Sequence, residues 1–489
     1  MSKAKYSSLK FQEDNAEDDA KVSLKDLDDA SFSWWHVRAV GVASVGFFTD
    51  AYDLFITNLT VSMISYVYLN GKDHAPPLDD GFMKGSVLFG TLIGQLVFGL
   101  LADHKGRSQV YGLELMIIIV GTVAAAMSSS PMRGLTISAM ISIWRLIMGI
   151  GIGGDYPLSA TITSEVSNKR RRGTLMSAVF SMQGFGQLFG GILSMITLAC
   201  FKDSIIRDPM NLDFVWRIIM GFGAVPCVAV LYFRLTMPES PRFAKQKQSN
   251  DNKTATFAEF KSHFGQWKNG KVLLGTASAW FLLDVAYYGI TLNQSYIIDQ
   301  IGFTQNGDAY TLFMSIAKGN TVAVCMGLLP GYWVATALID VVGRKPLQIF
   351  GFAGLTICMA ALAIFYDLLK AHAPKVFVAI YAVALFCFNC GPNTTTFIIP
   401  GEVFPTRFRS TCHGISAASG KAGAIIGTFL FPQITAAVPY GFRLLLGIFS
   451  VVMLMGLGVT FLIPESMGRS LEDVSEDDQL ELLTPESEL

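Results

Sequence analysis

Residues 99–107 read Gly-Leu-Leu-Ala-Asp-His-Lys-Gly-Arg and separate two long apolar runs. The charged part of this stretch, Asp-x-x-Gly-Arg, returns 237 residues later, again between two apolar runs. A glycine there permits a tight turn and close approach of helices, while the Asp and Arg side chains can pair or cap helix ends. We therefore expect a short loop, present twice, whose contacts can break and re-form. Its residues are Gly99, Asp103, Gly106 and Arg107 in the first copy and Asp340, Gly343 and Arg344 in the second.

The composition places the chain in a lipid bilayer. Of its 489 residues, 51% are hydrophobic and 15% are charged, and the mean hydropathy is +0.44. Soluble domains are charged at about 25% of positions, whereas runs of about 20 apolar residues are typical of helices that span a bilayer. Such runs recur from residue 37 to residue 463 and leave room for about a dozen spans. These values exclude a soluble enzyme, a single-span receptor and a disordered scaffold.

The repeated loop is part of a wider duplication. Gly154 and Glu165 return at the same spacing of 237 residues as Gly391 and Glu402. A chain made of two parallel six-helix halves is the architecture of transporters that hold their substrate between the halves. We predict an all-α membrane protein with twelve transmembrane helices in two six-helix pseudo-symmetric bundles. The predicted segments are an N-terminal tail (1–36), an N-terminal bundle (37–237), a central loop (238–270), a C-terminal bundle (271–463) and a C-terminal tail (464–489).

The distribution of charge predicts the orientation. Lys and Arg are in excess in the segments that face the cytoplasm when both termini and the central loop lie inside, as the positive-inside rule requires. The N-terminal tail is acidic and has no apolar core of a signal peptide, so we expect the first span to be an uncleaved anchor. Lys plus Arg (37) nearly equals Asp plus Glu (38), which gives no basic field for nucleic acid.

Several charged residues lie inside predicted spans. A charge near the bilayer centre costs at least about 2.5–3.5 kcal/mol, so it usually faces a cavity or a partner. These residues are candidates either for a transport site or for internal ion pairs that only fix helix packing. They are Asp50, Asp53, Glu114, Arg145, Asp155, Asp284 and Lys421.

One helix face carries a mixed stripe. Trp280, Asp284 and Tyr288 are four residues apart and therefore share one side of a helix. An aromatic ring, a carboxyl and a phenol form a suitable wall for a small oxygen-rich ligand. Taken alone, however, such a stripe is more often a packing surface than a binding site.

Four motifs carry a resemblance to a known family. The loop at 99–107, together with the central loop, resembles the signature of the major facilitator superfamily, although Thr336 stands where the second copy would have its first glycine. Pro-Glu-Ser-Pro-Arg at 238–242 is shared with sugar porters. Gly-Gly-Asp-Tyr-Pro-Leu-Ser at 153–159 resembles the signature of the fungal and plant phosphate:proton symporters, and Gly-Pro-Asn-Thr-Thr-Thr at 391–396 strengthens that likeness.

This resemblance implies a major facilitator fold and symport of inorganic phosphate with protons, with arsenate as an analogue of the substrate. It implies that the proton gradient drives transport, and we therefore expect neither a cofactor nor a metal. It also implies a plasma-membrane location, and we expect both termini to be cytoplasmic. The oligomeric state stays open. The implied phosphate contacts are Tyr156, Gln183, Trp280, Asp284, Tyr288, Asn393 and Lys421. The charged residues inside predicted spans supply the candidates for proton coupling, which are Asp50, Asp53, Asp155, Asp284, Glu114 and Arg145. We expect Glu114 and Arg145 to act by shifting the pKa values of the neighbouring carboxyls.

Other functions stay open at this stage. A sugar or organic-ion porter shares the Pro-Glu-Ser-Pro-Arg motif, but we expect neutral amides in its cavity instead of Asp284 and Lys421. A phosphate-sensing receptor could keep the same fold and signal through its tails. A membrane enzyme is less well supported, because the sequence has no Gly-x-Ser-x-Gly elbow and no Walker-type phosphate loop.

Overall fold

The computed structural model describes residues 34–69, 75–129, 135–237, 239, 256–305, 307–469 and 471. In this part of the chain, twelve helical segments are long and apolar enough to cross a membrane, which confirms the predicted all-α class. Labelled α1 to α12 in chain order, they are Val40–Tyr68, Pro77–Lys105, Arg107–Ala126, Ile137–Val166, Arg172–Cys200, Pro209–Leu235, Trp267–Thr291, Ala309–Val342, Arg344–Ile364, Pro374–Val403, Arg409–Ala437 and Gly441–Leu462.

Shorter helices connect some of the spans. Phe257–Gly265 precedes α7 and begins with a capping box, in which Thr256 and Glu259 satisfy each other's backbone N–H groups. The other connecting helices are Lys202–Arg207, Gln294–Gln300 and Tyr366–His372. The predicted tails and central loop fall largely on 1–33, 240–255 and 472–489, which lie outside the described residues, as does Pro238. The predicted segment boundaries therefore stay predictions.

The two loop glycines are needed for their backbone conformation. Gly106 ends α2 and Gly343 ends α8, with φ angles of 114° and 102°. A side chain at either position would be strained, because L-residues rarely adopt positive φ. The repeated Gly-Arg pair is thus a turn followed by the first residue of the next span.

Helices within the N-terminal bundle approach each other closely through glycines. A Cβ atom at Gly90 or Gly94 of α2 would collide with backbone of α4, at Leu146 and Ile150 respectively. Small residues allow such packing, which is a main source of helix association in a membrane. Between the bundles, α2 packs against α11 and α5 against α8. These two helix pairs form much of the interface at which the candidate site lies.

Several spans are interrupted, among them α10 and α6. In α10 the helix Pro374–Cys390 ends and Pro392–Val403 begins, with Gly391 between them. In α6 the helix Leu212–Gly221 is followed by Ala224–Leu235. Broken helices expose backbone and polar groups inside a bundle and are typical of transporter binding regions.

Candidate functional site

Lys421 is the central cation of the site. Its Nζ on α11 donates to Oδ2 of Asp284 at 2.9 Å and to the hydroxyl of Tyr288 at 2.9 Å, both on α7. Lys421 and Asp284 are each 1% exposed. Loss of hydration in such a position is costly unless the charges are paired. The structure therefore brings the predicted lysine and carboxylate together as a neutral pair.

Aromatic rings from both bundles surround this pair. The ring of Tyr156, on α4, has its centroid 5.2 Å from Nζ of Lys421 and 6.5 Å from the ring of Trp280. Phe55, on α1, stacks on Tyr288 at 5.8 Å. Because α1 and α4 belong to one bundle and α7 and α11 to the other, the Lys421 cluster lies between the two bundles.

Asn393 and Gln183 are both buried, but neither is bonded to the Lys421 cluster. Asn393 Nδ2 donates to the hydroxyl of Tyr332 at 3.0 Å and to Oδ1 of Asn389 at 2.7 Å. Among the described residues, neither Asn393 nor Gln183 hydrogen-bonds Lys421, and the Nε2 of Gln183 is buried without a hydrogen-bond partner. The structure thus joins five of the seven predicted phosphate contacts directly. Asn393 and Gln183 make no hydrogen bond to these five among the described residues.

The carboxyls of Glu114, Asp155 and Asp50 lie around the Arg234 guanidinium in the N-terminal bundle. Arg234, on α6, donates to Glu114 at 2.8 Å and to Asp155 at 2.7 Å, and the side chains of Arg234, Glu114 and Asp155 are fully buried. Among the described residues, both carboxyl oxygens of Asp50 are buried without a hydrogen-bond partner. On α1, the position one turn before Asp50 is Gly46, where a Cβ would collide with Arg234 and Asp155. Arg234 was not among the predicted site residues, although it lies in the last turn of an apolar run.

Arg145 is placed on a different partner. Its guanidinium nitrogens donate to the backbone carbonyl of Asp53 at 3.3 and 3.4 Å, and Thr122 donates to Oδ2 of Asp53 at 3.1 Å. Gly223, at the break in α6, leaves space for this carboxyl, since a Cβ there would collide with Oδ1. Asp53 and Arg145 therefore form a second buried charged group, beside the Arg234 cluster.

The loop motifs close one end of the interface, here called the motif end. Asp103 accepts hydrogen bonds from the backbone N–H of Thr411 at 2.7 Å and of Ser410 at 3.4 Å, in the first turn of α11. Asp340 does the same for Thr174 in the first turn of α5, at 2.7 Å. Each carboxylate thus caps a helix of the opposite bundle, where the helix dipole also favours a negative charge.

Buried ion pairs reinforce the motif end. Arg107 reaches Glu165 at 3.1 Å and donates to the Thr406 carbonyl across the interface at 3.1 Å, while Arg409 reaches Glu165 at 3.3 Å. In the second half, Arg344 pairs with Glu402 at 2.8 Å. The sequence showed Glu165 and Glu402 only as residues repeated in the two halves. Their repetition was the one sequence feature that could have indicated these ion pairs.

The other end, here called the far end, is closed by neutral groups and one lysine. The side-chain oxygen of Asn58 accepts from the backbone N–H of Ser295 at 3.2 Å, and Lys84 donates to Asn293 at 3.1 Å. Both contacts join the two bundles. The Lys421 cluster is therefore enclosed between closed contacts at both ends. Among the described residues, no group of three or more His, Cys, Asp and Glu side chains could hold a metal ion.

Twelve spanning helices in two bundles, with a buried charged site at their interface, define a secondary transporter of the major facilitator type. The chain belongs to the sugar (and other) transporter family, whose model matches residues 39–477. It is therefore a multi-pass membrane transporter and not an enzyme.

Several similar proteins within this family are named as phosphate transporters. The inorganic phosphate transporter PHO84 of Saccharomyces cerevisiae is 41% identical, over 93% of this chain and 87% of its own length. The repressible high-affinity phosphate permease of Neurospora crassa is 41% identical, over 93% and 89%. A probable inorganic phosphate transporter of Arabidopsis thaliana is 40% identical, over 92% and 96%. The chain is thus a member of the branch that contains these proteins.

Solved structures agree in fold. The proton:xylose symporter XylE, bound to a bromo-deoxyglucose, superposes with a TM-score of 0.69 at 22% identity, covering 90% of this chain and 98% of its own. A double-tryptophan mutant of XylE gives a TM-score of 0.70 at 21% identity, covering 91% and 99%. At this identity the likeness supports the major facilitator fold alone.

Proposed function

We propose that this chain imports inorganic phosphate together with protons, by alternating access of the Lys421 cluster to the two sides of the membrane. The observation that carries the proposal is the buried Lys421 ammonium, held by Asp284 and Tyr288 at 2.9 Å each. An anion that enters the cluster can replace Asp284 as the partner of this ammonium. The named phosphate transporters among the relatives point to the same substrate.

Charge balance links the anion to a proton. Lys421 and Asp284 together are neutral, so one bound dihydrogen phosphate would leave the buried cluster with a charge of minus one. One proton taken up from solution, and held by Asp284, restores neutrality. Because an uncompensated buried charge is costly, phosphate and proton stabilise each other's binding. Release of the proton on the other side then favours release of phosphate.

The surrounding groups suit a protonated tetrahedral anion. Tyr156, Tyr288 and Trp280 can donate to phosphate oxygens, and Gln183 and Asn393 add amide donors. Asp284 can accept an O–H of dihydrogen phosphate, which sulfate does not carry. Arsenate has the same shape and protonation as phosphate, and we expect it to be transported too.

The N-terminal bundle offers further proton sites. Four buried carboxyls, Asp50, Asp53, Glu114 and Asp155, accompany two guanidiniums, Arg145 and Arg234. Neutrality in this dry region requires protons on some of the carboxyls. Asp50 is the best placed of the four to hold one, because no donor among the described residues hydrogen-bonds its carboxyl oxygens.

Alternating access follows from the two closed ends. We infer that the bundles rock about the Lys421 cluster, with the capping and ion-pair contacts opening at the motif end and the Asn58 and Lys84 contacts at the far end. The proton gradient drives the cycle without a cofactor. We place the protein in the plasma membrane with both termini in the cytoplasm.

Purified protein in proteoliposomes tests the proposal. With an imposed proton gradient, we expect labelled phosphate to accumulate and labelled glucose not to. An uncoupler that dissipates the gradient should abolish accumulation. Glucose uptake without phosphate uptake would instead establish a sugar porter. Phosphate binding without gradient-driven accumulation would favour a receptor.

A further inference from the structure

A cavity lies between the bundles, toward the far end from the Lys421 cluster. Residues of α1, α5, α7, α8 and the short helix Gln294–Gln300 line it, and all its lining side chains are uncharged. Its volume is about 40 Å³, which is room for about three water molecules. That is enough for a tetrahedral anion that has lost most of its hydration, and too little for a sugar ring. The polar groups that carry the argument are Asn58, Gln187, Gln294 and Asn320.

Gln187 has an unused donor in this cavity. Its side chain is 9% exposed and lies close to the hydroxyl of Tyr287, but its Nε2 makes no hydrogen bond of normal geometry among the described residues. A buried amide nitrogen without a partner costs free energy, so a ligand or water that accepts from it is favoured. Gln183, one turn toward the N-terminus of α5, also has a buried side-chain nitrogen without a hydrogen-bond partner among the described residues. Being four residues apart, the two amides share one face of α5.

A single aromatic layer separates the cavity from that cluster. Phe55 lines the cavity and stacks on Tyr288, whose hydroxyl accepts from Lys421. On the opposite side, Asn58 bonds to Ser295 and to Asn320 and closes the far end. The cavity therefore lies on the route between the far end and Lys421.

We propose that this cavity is an entry subsite, in which Gln187 holds one dihydrogen phosphate ion before it passes Phe55 to reach Lys421. This inference rests on the proposed function and adds a second binding position to it. Amide side chains both donate and accept, which matches an anion that carries O–H groups. The cavity has no cation, and the cost of removing an ion from water rises with the square of its charge. The subsite therefore admits a monoanion far more readily than a dianion.

Substitutions of Gln187 test the subsite. Gln187→Leu removes the donor with little change in size, and Gln187→Glu replaces it with an acceptor that repels the anion. Thr197→Ala is the matched control, because Thr197 lies on the same helix outside the cavity lining and its hydroxyl donates to its own helix at Leu193. We expect Gln187→Leu to lower phosphate uptake at subsaturating concentration about tenfold, since a hydrogen bond to a charged group is lost. Gln187→Glu should lower it further, and Thr197→Ala should leave it unchanged.

Equilibrium binding of labelled phosphate to the purified variants separates the two positions. An entry subsite changes the rate of arrival, so the dissociation constant at Lys421 should stay the same in Gln187→Leu. Wild-type uptake by Gln187→Leu, or an equal loss in Thr197→Ala, would overturn the subsite. A matching loss of equilibrium binding would also overturn it, since Gln187 would then belong to the central site. If wild-type protein binds no phosphate at all, the proposed function fails and the subsite with it.

Arsenate provides a direct view of both positions through its anomalous X-ray scattering. Crystals grown with arsenate should show one peak beside Lys421 and a second beside Gln187, and the second should be absent in Gln187→Leu. A peak at Lys421 alone, in crystals whose far end is open, would overturn the subsite and leave the proposed function intact.

Discussion

The ammonium of Lys421 lies 2.9 Å from Oδ2 of Asp284, with both side chains almost fully buried between the bundles. A buried pair of this kind contributes little net stability, because the attraction is offset by lost hydration. Removing one partner, however, leaves an isolated charge and costs about 3–5 kcal/mol. An incoming anion can therefore replace Asp284 as the partner of Lys421 at little cost. Removing either Lys421 or Asp284 without a replacement is costly.

Lys421→Ala should weaken phosphate binding by roughly 2–4 kcal/mol, because a buried anion loses its counter-charge. Equilibrium binding of labelled phosphate to correctly inserted protein measures the change. Lys261→Ala, on the exposed surface of the short helix before α7, is the control and should bind as the wild type does. Unchanged affinity in Lys421→Ala would show that the anion binds elsewhere.

Arg234→Met should destabilise the folded protein by about 3–5 kcal/mol, because it leaves Glu114 and Asp155 buried without their cation. Thermal unfolding in detergent is the measurement. The matched control is Arg443→Met, whose pair with Asp367 is 44% and 78% exposed and is worth at most about 1 kcal/mol. Equal losses in the two variants would contradict the distinction between buried and exposed pairs.

Local patterns predicted the fold and the components of the site. Apolar runs predicted the twelve spans, because each run must satisfy its own backbone in lipid. The cost of an intramembrane charge singled out Asp284 and Lys421, and helical spacing put Trp280 and Tyr288 on the same face as Asp284. These inferences depend only on neighbours along the chain.

Contacts between distant segments were beyond such patterns. Arg234 is 120 residues from Glu114, and Arg409 is 244 residues from Glu165. No local spacing shows which carboxyl a guanidinium will meet. The same holds for Arg145, whose guanidinium hydrogen-bonds the backbone carbonyl of Asp53 and not the carboxyl of Glu114. Repetition was the one long-range signal in a single sequence, and it predicted the equivalent loops without predicting their partners.

Asp103→Ala should loosen the motif end, because the first turn of α11 loses a cap from the opposite bundle. Loss of a helix cap that contributes about 1–2 kcal/mol should raise the population with an open motif end about 5- to 30-fold. Alkylation of the buried Cys412, read by mass spectrometry, reports this opening. Asp308→Ala is the matched control, since Asp308 caps α8 through Thr311, a residue of its own bundle. Equal Cys412 reactivity in the two variants would contradict an inter-bundle role for Asp103.

Asp50→Asn and Asp53→Asn should impair gradient-driven uptake while phosphate binding stays largely intact, because neither side chain touches Lys421 in the described structure. Exchange of internal for external phosphate needs no net proton transfer and should persist. Asp53→Asn should also lower the unfolding temperature more than Asp50→Asn, since Asp53 faces Arg145 and accepts from Thr122. Asp203→Asn, on the surface, serves as the control. If both inner variants still accumulate phosphate against a gradient, the proton path lies elsewhere.

Asp284→Asn should narrow the preference for phosphate over sulfate. Sulfate at neutral pH has the shape of phosphate but two charges and no O–H, so an ionised Asp284 meets it with opposed acceptors and like charges. At about 4 Å and an effective dielectric constant of about 20, each unit repulsion is about 4 kcal/mol before screening. An amide can donate as well as accept, which removes the repulsion and supplies a donor. Phosphate transport should weaken at the same time, because the carboxyl that accepts its O–H and balances its charge is gone. Competition by sulfate for phosphate binding, at one fixed pH, measures the preference. In the surface control Asp367→Asn, sulfate should compete for phosphate binding as weakly as it does in the wild type. If sulfate also competes equally weakly in Asp284→Asn, another residue excludes sulfate.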